Sequence, residues 1–143
     1  MKVLALDLST KATGWCFADG RPLEWGTLKP KVTLELPRRL EYMVREIAEL
    51  VTTFHVEHLA IVELHYMRGM KVVRALFMLH GAVQYWAVIN GLPISWVNQN
   101  TALKALGLKG NCKKPEVVKL VTRLGDAVMD EDLGEAGATY FGA

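Results

Sequence analysis

The stretch Lys2-Val3-Leu4-Ala5-Leu6-Asp7-Leu8-Ser9-Thr10-Lys11-Ala12-Thr13-Gly14 decides the fold. Lys2 to Leu8 reads as a short buried strand with an acid near its end, and Ser9 to Thr13 reads as a polar turn. An acid beside an apolar strand is costly unless something pairs with it. Asp7 therefore marks either a structural partner or a site. Apolar character resumes from Gly14 to Ala18, Asp19-Gly20 signals a hairpin turn, and Pro22 to Leu28 is the returning strand.

Downstream, Lys29 to Leu36 is a linker interrupted at Pro30, and Pro37 suits the first turn of a helix. Leu40, Met43, Val44, Ile47, Leu50, Val51 and Phe54 then recur at helical spacing, with Arg38, Glu41, Arg45 and Glu49 between them. His58 to Leu64 is a second buried strand, again with an acid near its end, Glu63. Val72 to Asn90 is apolar almost all round, with Gly81 inside and Gly91 as the stop. Such a helix must be covered on more than one face: by the sheet on one side, and by a second subunit or a large core on the other. Leu76, Leu79, Val83 and Trp86 are expected to be buried either way. Pro93 to Val97 is a short strand, and Thr101 to Leu106 is helical. A Gly/Lys-rich loop follows from Gly107 to Lys114. Pro115 opens a helix that ends at Gly125, and a last helix runs from Asp132 to the terminus. Strands alternating with helices place the chain in the α/β class, with a mixed sheet whose centre is parallel. Its 143 residues suit a single domain, 1–143.

Composition excludes several classes. With 51% hydrophobic and 22% charged residues the chain reads as globular. No apolar run is expected to reach the roughly 18 residues that span a bilayer, and the acid at Asp7 comes too early for a secretory leader. The cytoplasm is the default location. Cys16 reads as a buried side chain and Cys112 as an exposed thiol, with no metal-binding spacing between them. A net charge of +2 is too small to argue for a polyanion partner, but its distribution is informative. Lys104, Lys109, Lys113, Lys114, Lys119 and Arg123 face only Glu116 in sequence, and Arg68, Lys71 and Arg74 form a second acid-free stretch. Either is a solvated basic face or a nucleic-acid contact.

Asp7, Glu63, Asp132 and Glu135 each lie at or near the end of a predicted element. In an α/β sheet, strand ends on one edge converge on a common crevice. Carboxylates gathered there repel one another, and a hard divalent cation such as Mg²⁺ or Mn²⁺ relieves the repulsion. Asp132 and Glu135, three apart, share one helix face; the plainer role for Asp132 is an N-cap. The Asp7 to Gly14 pattern also occurs beside the phosphates in actin-like ATPases and sugar kinases. Those need two such domains, more than this length allows.

Four stretches together resemble the RuvC-type Holliday junction resolvases, in a phage-like or divergent form. They are Leu4 to Ser9 with Thr13-Gly14-Trp15; Ile61-Val62-Glu63-Leu64-His65-Tyr66-Met67; Gly107 to Lys114 running into Pro115-Glu116-Val117-Val118; and Asp132-Leu133-Gly134-Glu135-Ala136. The resemblance implies an RNase H-like fold, a five-stranded mixed sheet (three antiparallel strands, then parallel ones) flanked by helices. It implies a homodimeric endonuclease that resolves four-way DNA junctions by paired symmetric nicks. The chemistry would be hydrolysis with two divalent ions, Mg²⁺ or Mn²⁺, leaving 5′-phosphate and 3′-hydroxyl ends. Asp7, Glu63, Asp132 and Glu135 are the implied catalytic and metal-binding residues. Tyr66, Arg68, Lys71, Arg74, Lys109, Lys113 and Lys114 are the expected DNA contacts. The departure is Glu135, one methylene longer than the family's usual Asp. Rival readings are an RNase H-like nuclease acting on RNA–DNA hybrids or flaps, and a junction-binding protein of this fold without catalysis.

Overall fold

The computed structural model describes residues 1–64 and 69–105, without the side chains of residues 102, 103 and 105. Strands β1 (Lys2–Asp7), β2 (Thr13–Asp19) and β3 (Pro22–Leu28) form an antiparallel meander. Gly20, at φ +74°, supplies the left-handed residue of the turn between β2 and β3. Helix α1 (Leu36–Phe54) crosses over to β4 (His58–Val62), and α2 (Met70–Ile89) crosses over to β5 (Ile94–Val97). A short α3 (Gln99–Ala105) follows. The strand order is β3-β2-β1-β4-β5, with β1–β4 and β4–β5 parallel. This is the five-stranded mixed sheet expected from the sequence.

Alternation along the strands sorts the core. Leu4, Leu6, Phe17, Leu59 and Ile61 join Met43 and Ile47 of α1 and Leu79, Val83 and Ala87 of α2 in one cluster, so both helices cover the same sheet face. Burying each of these side chains larger than alanine stabilises the fold by about 1.5–3 kcal/mol. On the opposite face the buried residues are small, Ala5, Cys16 and Ala60, with Val3, Trp25 and Val97 packed against them. Burial pushes the Cys16 thiol up to about 12, so it stays an unreactive core group. A Cβ at Gly26 would lie 3.0 Å from the Trp15 indole, so β3 carries glycine where that ring lies across it.

Several element ends differ from expectation, each for a local reason. β4 ends at Val62, and Glu63 stands just past it, its N–H donating to Val97 O at 2.8 Å. α2 starts at Met70, two residues early, directly after Gly69 at φ +92°. α3 starts at Gln99 because Asn98 Oδ1 accepts the Thr101 N–H at 3.2 Å, an N-cap. α2 also corrects the reading that no stretch reaches bilayer-spanning length: by length and composition it is long and apolar enough. In the fold its Leu76, Leu79, His80, Val83 and Ala87 are buried against the protein, while Trp86 is only half-buried. The expected helices beyond Pro115 and the Gly/Lys loop lie outside the described residues.

Candidate active site

The parallel pairing of β1 with β4 sets the site. Leu6 is opposite Ile61, so the chain delivers Asp7 and Glu63 to neighbouring strand ends on one edge of the sheet. Neighbouring strands lie about 4.8 Å apart. Both residues line a cleft of about 710 Å³ whose other walls are the 8–12 turn, Leu64, Gln99 and one side of α2. Asp7 is half-buried and Glu63 is exposed.

The turn after Asp7 is fixed by a buried hydroxyl. Thr13 Oγ1 donates to Ser9 O at 2.9 Å and accepts the Ser9 N–H at 3.1 Å, and Thr13 itself is fully buried. The Lys11 N–H donates to Ser9 Oγ at 3.3 Å. Ser9, Thr10 and Lys11 are thereby held along the cleft rim. From the helix side, Lys71, Val72, Ala75, Leu76 and His80 line the cleft, as the helical repeat allows. Lys11 and Lys71 are exposed cations on this rim, facing a crevice that contains two acids.

Among the expected site residues, the structure thus brings Asp7, Glu63 and Lys71 to one cleft. Arg74 is exposed on α2 but does not line it. Tyr66, Arg68, Lys109, Lys113, Lys114, Asp132 and Glu135 lie outside the described residues. Sequence reasoning missed Lys11, Gln99 and His80. For Lys11 a signal existed, a cation inside the polar turn directly after the strand acid; a histidine on an apolar helix gives none.

The donor set suits a divalent cation. Asp7 and Glu63 offer hard carboxylate oxygens to one open crevice, and Mg²⁺ is commonly held by one or two carboxylates plus substrate phosphate. Among the described residues no group of three or more His, Cys, Asp or Glu side chains gathers for a metal, so the described pair is a partial shell.

Comparison with known proteins places these features. The family described as crossover junction endodeoxyribonuclease RuvC matches residues 8–134. A crossover junction endodeoxyribonuclease RuvC from Syntrophomonas wolfei is 26% identical over 129 residues, covering 87% of this chain and 75% of that protein. Its counterpart from Endomicrobium trichonymphae is 24% identical over 145 residues, covering 95% and 76%. Among solved structures, T. thermophilus RuvC in complex with Holliday junction substrate superposes with a TM-score of 0.83 at 20% identity, covering 99% of this chain and 90% of that one. The fold is RNase H-like.

Proposed function

The chain belongs to the RuvC family of crossover junction endodeoxyribonucleases, and we propose that it cuts four-way DNA junctions at the cleft between the ends of β1 and β4. The reaction is metal-dependent hydrolysis of a DNA phosphodiester. The observation that carries the reading is the convergence of Asp7 and Glu63, from parallel strands far apart in sequence, on one cleft rimmed by Lys11 and Lys71.

Asp7 and Glu63 would hold the divalent ions, two Mg²⁺ or Mn²⁺ per site, with Asp132 and Glu135 completing their shells. When bound, such ions supply Lewis acidity at the phosphate and make a water acidic enough to attack at neutral pH. Lys11 and Lys71 neutralise backbone phosphates and draw the strand toward the acids. The Thr13–Ser9 bracket keeps the rim rigid, so that the strand meets Asp7 in one geometry. Arg68, Arg74, Lys109, Lys113 and Lys114 extend the phosphate contacts, and Tyr66 stacks on a base at the opened crossover.

Paired nicks need two sites related by a two-fold axis. The outer side of α2 supplies the surface for the second copy. Phe77, Met78, Tyr85, Val88 and Ile89 are exposed there, around a shallow hollow of about 320 Å³ lined by Gly81, Gln84, Tyr85 and Val88. An apolar face of this extent marks an interaction site.

Incubating a labelled four-way junction with the protein and Mg²⁺ or Mn²⁺ tests the reading directly. Cleavage of the junction in preference to linear duplex is expected. Asp7→Asn should still bind the junction but cut it on the order of a thousandfold more slowly, the equivalent of several kcal/mol of lost stabilisation. Undiminished cutting by that variant would remove Asp7 from the chemistry.

A further inference from the structure

Two polar side chains are buried among the described residues, Thr13 and His80. The Thr13 hydroxyl is used twice within the 9–13 turn. His80 is used differently. It is 7% exposed, on the stripe of α2 that lines the cleft with Asp7 and Glu63. Its ring lies along the Trp96 indole, with centroids 5.9 Å apart and planes 18° from parallel, which fixes the plane of the imidazole. No hydrogen bond joins it to another described residue. No sealed polar atom among them lacks a partner either, so the ring nitrogens are not sealed in the core, and the side chain lines the cleft. Burial holds the imidazole below its usual value. The ring is therefore neutral near pH 7, with one N–H donor and one acceptor.

A neutral donor in a largely desolvated wall makes stronger hydrogen bonds than the same group in water. The chemistry that meets it in a DNA-cutting cleft is the anionic phosphodiester, which takes most protein–DNA hydrogen bonds. Building on the nuclease reading above, we propose that His80 is a substrate-positioning residue whose ring N–H holds a phosphate oxygen of the strand lying in the cleft. Lys71 lines the same cleft, nine positions earlier and so about 13 Å along the helix, and takes a different phosphate of that strand. One pins the backbone by a directed bond; the other attracts it by charge.

The test couples protein and substrate changes. His80→Phe keeps the stack on Trp96 and removes the nitrogens; His80→Gln keeps an N–H donor. Single-turnover cleavage and junction affinity are measured with junctions carrying one neutral methylphosphonate at each phosphate flanking the cut in turn. His80→Phe is expected to lose about ten- to a hundredfold in cleavage, while its salt dependence of binding stays at the wild-type slope, since a neutral group displaces no counterions. One methylphosphonate position should slow the wild-type protein similarly, yet cost His80→Phe nothing further, the sign of a shared contact. His80→Gln should retain most of the rate. Wild-type rates in His80→Phe, fully additive penalties at every position, or a Gln variant as slow as Phe would each overturn the assignment alone. A wild-type protein that cuts no junction would overturn the nuclease reading and this assignment with it.

Discussion

Helices α1 and α2 lie on the same face of the sheet and have nearly the same length, 19 and 20 residues, but their outer sides are opposites. α1 turns Arg38, Glu41, Arg45 and Glu49 to solvent. α2 turns out Phe77, Tyr85 and Val88, at 62%, 69% and 68% exposure. Their inner sides are alike, each driving fully buried residues into one core: Met43 and Ile47 from α1, Leu79 and Val83 from α2. Folding therefore accounts for the inner stripe of both helices and for the whole of α1. It does not account for the outer side of α2, nor for Lys71, exposed at the rim of the cleft. The difference separates a helix finished by water from one with further work to do.

The sharpest way to probe this contrast is to weaken the two inner sides equally. Ile47→Ala and Leu79→Ala should each lower unfolding free energy by about 2–5 kcal/mol in urea titrations. A cost below about 1 kcal/mol at Leu79 would mean that α2 is not held by this core. Next comes the outer side. Tyr85→Glu should raise the dimer dissociation constant at least about thirtyfold in sedimentation equilibrium, while Glu49→Lys on α1 leaves it unchanged. An equal effect from both would remove α2 as the interface. The smallest effect is electrostatic. Lys71→Ala should reduce the salt slope of junction binding by about one. Arg38→Ala breaks only the exposed 2.6 Å pair with Glu41, should leave that slope intact, and should change stability by less than about 1 kcal/mol.

Much of this arrangement was legible in the sequence because it rests on periodicity. The apolar runs of β1 and β4, the Asp19-Gly20 turn and the helical spacing from Leu40 to Phe54 each follow from how side chains alternate about a strand or helix. The meeting of Asp7 with Glu63 was legible too, because parallel strands joined by a crossover present their carboxyl ends on one edge. What escaped depends on three-dimensional neighbours. The role of Asn98 as a cap competes with several equally plausible starts for α3, and only the bond to Thr101 decides it. His80 falls among apolar residues, and its stack on Trp96 joins two elements that no local pattern relates. Trp86 carries the same apolar signal as Leu79 and Val83, yet its size leaves it half-buried.

The parallel ladder between β1 and β4 also sets when the proposed site can first exist during synthesis. The β1–β2–β3 meander closes through short local turns and can assemble as soon as those residues leave the ribosome. The Leu6–Ile61 register cannot, because a parallel partner waits for the whole crossover through α1 to be made and docked. Until then the two acids belong to separate pieces of an unfinished polypeptide. On the proposed reading, a nascent chain holds no junction-cutting site before that ladder is complete.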